Sequence, residues 1–258
     1  LFEDCGLGKT LQQLEWACRV NEHTGRPVLI LCPLVVAWQT KEEAERFEID
    51  CPVDVVETMS DVTNYSGIVI TNYDKLHLFD AEKFAGVVLD ESSILKNYTG
   101  KTKQRLVDSF RSTPFKLCCT ATPSPNDYLE LGNHAEFLGI MPSNEMIARW
   151  FINDSMKCGK YRLKKHGEED FWRWMASWAI CISKPSGLGE QFAGHDFVMP
   201  ELLIHEHIVG SNAIPDGYLI NPGRTVSATN KHQEKRESLQ DRCEVMASLA
   251  KSVGREPF

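Results

Sequence analysis

The chain has 258 residues, 42% of them hydrophobic and 25% charged, values that allow a sizeable core and exclude disorder, collagen and a coiled coil. Lys and Arg total 28 against 36 Asp and Glu, a formal charge of −8, so any nucleic acid must be met by local positive patches rather than by the field of the whole chain. Nine cysteines without a CxxC pair read as small buried hydrophobes in a reducing cytoplasm, and no apolar run approaches the roughly 18 to 20 residues that span a bilayer.

Chemistry begins almost at once. After a strand remnant at Leu1-Phe2, the residues Cys5, Gly6, Leu7, Gly8, Lys9 and Thr10 form a loop ending in Gly-Lys-Thr. Closely spaced glycines let backbone N–H groups turn around phosphate oxygens, and the following helix points its positive end at the same anion. Lys9 is placed to reach the β/γ-phosphates and Thr10 to ligate Mg²⁺. Glu3 stands where the simple GxxxxGKT pattern has its first glycine.

Further along, helical spacing predicts helices over 10–22, 35–47 and 100–111, and continuous apolar runs predict buried strands at 28–32, 68–70, 87–89 and 116–119. This βαβα alternation predicts an α/β fold over residues 1–140, a parallel sheet flanked by helices with functional loops at the strand C-termini. The run Val87-Val-Leu ends in Asp90 and Glu91, which brings two carboxylates to the lip of the sheet. Beside a phosphate loop, Asp90 would hold Mg²⁺ and Glu91 would activate the attacking water; alone, the pair reads as a solvated acidic turn. Thr120-Ala121-Thr122-Pro123 closes the next strand, either as a hydroxyl bridge to those carboxylates or as a capped turn.

Taken in order, GLGKT, the segment Ile30 to Trp38, the segment Ile68 to Tyr73, VVLDESS and LCCTATP resemble motifs I, Ia, Ib, II and III of superfamily 2 helicases. They look most like the Swi/Snf-type branch, especially its bacteriophage-encoded members. The resemblance implies a RecA-like P-loop lobe that hydrolyses ATP with Mg²⁺ and moves along DNA, in the cytoplasm of a bacterial host. It implies that residues 5–10 bind ATP, that Thr10 and Asp90 hold the metal, that Asp90 and Glu91 are catalytic, and that Thr120, Ala121 and Thr122 couple hydrolysis to movement. It also implies contacts to a DNA backbone from Pro33, Trp38, Thr71 and Asn72. Many relatives have Asp-Glu-Ala-His where this chain has Asp90-Glu91-Ser92-Ser93, so any role of that histidine passes to one of the serines or is lost. The adenine-reading glutamine segment and the second RecA-like lobe with its arginine fingers are expected outside this sequence, which reads as one half of an ATPase.

The remainder predicts helices over 143–154 and 169–182, an alternating edge strand over 202–209, a loop over 215–225 and a long charged helix over 229–253. The expected division is a lobe at 1–140, a Swi/Snf-type insertion at 141–227 and a linker helix at 228–258. Lys157, Lys160, Arg162, Lys164 and Lys165 put five cations and no anion into nine residues, a second candidate phosphate contact or a solvated run. Lys96, Lys101, Lys103 and Arg105 form a similar strip. Phe171, Trp174, Met175, Trp178 and Ile182 recur at helical spacing and read as a core stripe, with Trp172 off it; His205 and His207 read as a strand surface rather than a metal pair. Two other readings of the whole are a P-loop phosphotransferase acting on a small molecule and a nucleotide-gated DNA-binding module in which hydrolysis is dispensable.

Overall fold

The five apolar residues Val28–Cys32 (β2), and Ile68–Asn72 (β4) with its three apolar residues followed by Thr71 and Asn72, are buried on both faces, as a central parallel strand requires. The computed structural model describes residues 1–62, 66–96, 100–153, 161–196, 204–209 and 235–252. They divide into two compact units, 1–197 and 198–258.

In the first unit, β1 (Phe2–Glu3) is followed by α1 (Lys9–Thr24), β2, α2 (Ala37–Arg46), β3 (Val53–Val55), β4, β5 (Gly86–Asp90), α3 (Lys101–Ser109) and β6 (Phe115–Cys119). The strands form a parallel sheet in the order β3-β4-β2-β5-β6. Phe2 then bridges Thr120 at the end of β6, and β1 pairs on its other side with β9 (Cys181–Ile182), both contacts parallel. Alternate residues serve opposite faces: Val28, Ile30 and Ile68 pack with Leu14, Ala17 and Ala44 of α1 and α2, whereas Leu29, Leu31 and Val87 pack with Leu106 and Phe110 on the other face. The expected parallel sheet covered by helices is therefore present, with each predicted strand and helix of residues 1–119 formed within a few residues of its expected span. β1 is the strand remnant expected before the loop, displaced by one residue, whereas β3 is not expected from the sequence because three residues carry too little periodicity to be read.

After β6 come α4 (Leu131–Leu138) and α5 (Ser143–Trp150). The helix expected over 143–154 ends at Trp150; Phe151–Asn153 (β7) turns into a hairpin with Tyr161–Leu163 (β8). Lys164 Nζ takes up the last carbonyls of α5, those of Ala148 and Arg149, each at 2.9 Å. The helix expected over 169–182 is shorter as well: α6 is Glu168–Ala176, and the chain then straightens into β9 because the open side of β1 offers a parallel partner. The aromatic stripe is core as expected, Phe171 and Met175 being buried with Phe2, Leu131, Met146, Trp150 and Phe151. Trp172 is exposed and meets Tyr128 edge to face at 5.2 Å.

In the second unit, residues 204–209 are not a sheet strand, and both histidines there are exposed; 202–203 and the loop at 215–225 lie outside the described residues. The alternating pattern finds no neighbouring strand to pair with among the described residues, and an unpaired strand is not stable by itself. The long helix is present as α7 (Leu239–Ser252), with 229–234 and 253 outside the described residues. Among the described residues no helix is long and apolar enough to cross a membrane, and the eight cysteines are free thiols.

Candidate functional site

Because the strands are parallel, β1, β2, β4, β5 and β6 all end on one edge of the sheet. The strand order puts β6 between β1 and β5, so Thr120 stands between the phosphate-type loop and the acidic pair.

The loop is built on backbone. Gly6 and Gly8 have φ of 80° and 78°, the left-handed region, with open space where a Cβ would stand, so conformation and not crowding calls for glycine. Gly8 is the N-cap of α1 and supplies no side-chain cap, which leaves the first N–H groups of the helix available to an anion. Lys9 Nζ donates to the carbonyl oxygens of Glu3 and Asp4, each at 2.8 Å. Glu3 is buried, and its carboxylate accepts from Gln12 Nε2 at 2.8 Å, while the same nitrogen reaches Leu7 O at 3.1 Å. The unusual glutamate thus pins the start of the loop to α1. Thr10 is half-buried in the first turn, and Cys5 is exposed in the loop.

On β5, burial raises the Asp90 carboxyl above the ordinary range; Gln13 draws it down, though that contact falls short of hydrogen-bond geometry, and Glu91 pushes it up again. The Tyr73 hydroxyl donates to the Asp90 carbonyl at 2.7 Å, and desolvation, with the nearby Asp90 charge, pushes its own pKa well up. Glu91 follows with φ 57°, a left-handed conformation rare for a residue with a Cβ. Its Oε1 accepts from Ser93 Oγ at 2.5 Å, Thr120 Oγ1 at 2.8 Å and Thr122 Oγ1 at 3.5 Å. Thr122 N–H in turn donates to Thr120 Oγ1 at 3.0 Å, with half-buried Ala121 between the two threonines. Residues from β5 and β6 that sequence reading could only pair by motif are therefore in direct contact.

Beside this pair a groove of about 410 Å³ runs along Pro33, Leu34, Asn72, Tyr73, Glu91 and Lys96. Pro33 lines it, and Trp38 is 63% exposed at the start of α2. Thr71 is 2% exposed and lies within the sheet, and the Asn72 side chain is occupied, accepting from the N–H groups of Asp74 and Lys75 at 3.1 and 3.2 Å. The Asn72 side-chain oxygen thereby shapes the turn behind the groove that Asn72 also lines, while Thr71 is enclosed in the sheet. Lys160 lies outside the described residues, Arg162 is exposed on β8, and Lys164 is held as the C-terminal cation of α5. Lys103 departs from the expected strip: it is buried and pairs with Glu136 at 2.6 Å, whereas Lys96, Lys101 and Arg105 are exposed. Helical spacing puts Lys103 three residues before Leu106, on the face of α3 that packs on α4, but its charge reads as surface. Sequence reading also passed over Tyr73 as an anchor for Asp90, and over His134, a buried imidazole beside Ser92.

A family model for the SNF2-related domain matches residues 1–167. Among similar proteins, the mouse (Mus musculus) chromodomain-helicase-DNA-binding protein 1-like is 33% identical over 150 residues, 51% of this chain and 16% of that protein. The chromatin-remodeling ATPase INO80 of Drosophila melanogaster is 27% identical over 180 residues, 60% of this chain and 11% of that protein. The chain therefore spans less than a fifth of the length of these curated relatives. Among solved structures, the Sulfolobus solfataricus SWI2/SNF2 ATPase core in complex with dsDNA superimposes with a TM-score of 0.58 at 20% identity, over 74% of this chain and 41% of that one.

Proposed function

Because the chain belongs to the SNF2-related domain family, we propose that it is the ATP-binding lobe of an ATP-dependent DNA translocase, hydrolysing ATP in a cycle coupled to movement on DNA. The observation that carries this reading is the hydrogen bond from Thr120 to Glu91, since it ties the element after β6 to the acidic pair on β5 beside a phosphate-type loop.

The residues present suit Mg²⁺ and a nucleotide triphosphate. The loop offers uncapped helix N–H groups, and Lys9 rests on two carbonyl oxygens rather than on carboxylates, which leaves its charge for an anion. Residues 5–10 would hold the phosphates, and Thr10 with Asp90 would hold the metal, a hydroxyl and a carboxylate being the oxygen donors that Mg²⁺ takes alongside phosphate. The metal supplies neutralisation of phosphate charge. Glu91, its Oε1 engaged by Ser93, Thr120 and Thr122, keeps Oε2 clear of these bonds to orient a water and accept its proton. Thr120, Ala121 and Thr122 would sense the state of that carboxylate and pass it to the groove.

DNA, duplex or single-stranded, is the proposed polymer, met at the rim by Pro33, Trp38 and the exposed Lys96, Lys101, Arg105 and Arg162. A second RecA-like lobe belongs to the same proposal, supported by the small share of the relatives that this chain covers, and a Swi/Snf-type insertion at 141–227, a linker at 228–258 and a phage-encoded protein working in a bacterial cytoplasm are proposed with it from the motif resemblance alone. The test is ATP turnover of the full-length protein with and without DNA. Duplex or single-stranded DNA is expected to raise turnover, and Glu91→Gln to lower it by about 100-fold while ATP still binds. Turnover indifferent to both DNA forms would sink the proposal and favour a small-molecule phosphotransferase.

A further inference from the structure

The two serines that follow Glu91 go separate ways. Ser93 turns back onto the Glu91 carboxylate, whereas Ser92 is fully buried with its Oγ 3.1 Å from Nε2 of His134 on α4. The other ring nitrogen, Nδ1, lies 3.4 Å from the carbonyl oxygen of Glu130, one helical turn earlier. The imidazole also packs edge to face with Phe2 on β1, centroids 5.1 Å apart. Glu130 continues the chain of contacts, its carboxylate accepting from the Asn126 side chain at 2.7 Å and the Asn126 N–H at 3.3 Å. One buried ring is thereby joined to the strand that feeds the phosphate loop, to the turn that carries Glu91 and to the loop that follows Thr122.

A carbonyl oxygen only accepts, so with the proton on Nδ1 the ring donates to Glu130 and Nε2 accepts from the Ser92 hydroxyl, a neutral tautomer that satisfies both nitrogens. Burial supports that neutral form by pushing the imidazole down to about 4. A leucine or phenylalanine would fill the same space without the cost of burying two nitrogens, so the ring is informative through its partners. One of those partners, Ser92, sits one residue after the left-handed Glu91, whose backbone needs outside support to hold its conformation.

We infer that His134 is a positioning residue: by holding Ser92 while braced on Glu130 and Phe2, it fixes the turn that keeps the Glu91 carboxylate on Thr120. The inference rests on the reading of Glu91 as the residue that activates water.

The test uses the full-length protein with His134→Phe, which keeps a ring against Phe2 but removes both nitrogens, His134→Gln, which restores an acceptor, and Ser92→Ala. His134→Phe and Ser92→Ala are each expected to lower kcat for ATP by about tenfold with KM nearly unchanged, to combine without adding, and to differ from His134→Gln, which recovers most of the rate. In the nucleotide-free protein, amide exchange over residues 90–96 should quicken in His134→Phe while β2 stays protected. Unchanged kcat with unchanged exchange at 90–96 overturns the inference. So does a loss of protection spread equally over β2, which marks plain core packing. Glu91→Gln is measured alongside: if it turns over like the wild type, the function proposal fails, and the exchange measurement still decides whether His134 holds the turn.

Discussion

A buried carboxylate is a cost in the folded protein, and Asp90 illustrates what that cost secures. Burial raises its pKa, so the folded state holds the proton more tightly than the unfolded chain does. The contribution to stability is then fully present below the unfolded value and is lost as pH rises through the folded one, leaving a deficit at neutral pH. Asp90→Asn is accordingly expected to raise the thermal midpoint of the nucleotide-free protein at pH 7, by an amount that shrinks as the pH is lowered into the carboxyl range. A thermal unfolding series across pH checks this, and a midpoint below that of the wild type at pH 7 would contradict it. The same variant is expected to lose Mg²⁺-dependent turnover, because its amide replaces the anionic metal donor.

Between elements, contacts decide what a side chain does more than its residue type. Lys103 is the clearest case: on the sequence it is one of four cations in a strip, in the fold it lies at the contact of α3 and α4 with Glu136, which also accepts from Ser143. Burial pushes the Glu136 carboxyl up, but the Lys103 and Ser143 hydrogen bonds outweigh that and hold it below its usual value. Glu136→Ala, by removing the carboxylate beside a buried ammonium that also reaches Ser143, should cost about 2 kcal/mol, less than a fully enclosed pair because Glu136 keeps some solvent access. Lys103→Met, which removes the charge and keeps the volume, should cost less. Urea unfolding of the two variants distinguishes them, and equal costs would argue against an electrostatic origin. A lysine so placed is withdrawn from the surface available to DNA, whereas Lys101 and Arg105 on the exposed side of α3 are not.

For the larger unit, the consequence is that residues 143–153 and 161–182 belong to the support of the phosphate loop. The third hydrophobic cluster joins Phe2 of β1 to Trp150, Phe151, Phe171 and Met175, and β9 pairs along the outer side of β1. Phe171 has no exposed surface, and Phe171→Ala should destabilise by about 3 to 5 kcal/mol through lost burial and the cavity left behind. Because Phe171 belongs to the cluster that includes Phe2 of β1, affinity for a fluorescent ATP analogue should fall more than it does for an equally destabilising change in the β2 face of the sheet. Chemical unfolding paired with nucleotide titration measures both, and equal affinity losses would separate the cluster from the loop.

Local chemistry made part of this legible beforehand. Apolar runs of three to five residues marked β2, β4, β5 and β6 because strands inside a covered parallel sheet carry few polar positions, and the Gly-Leu-Gly-Lys-Thr loop declared itself because φ above zero selects glycine. Asp90 and Glu91 were likewise readable as a strand end. The sequence alone therefore determined the type of sheet, the loop and the identity of the acidic pair. The tertiary structure decided that β6 lies between β1 and β5, that Ser92 meets His134 forty-two residues away, and that Lys103 faces inward. The order of parallel strands is set by long crossovers, and a buried hydrogen bond by which helix face meets which strand end. Neither leaves a periodic trace in the residues themselves.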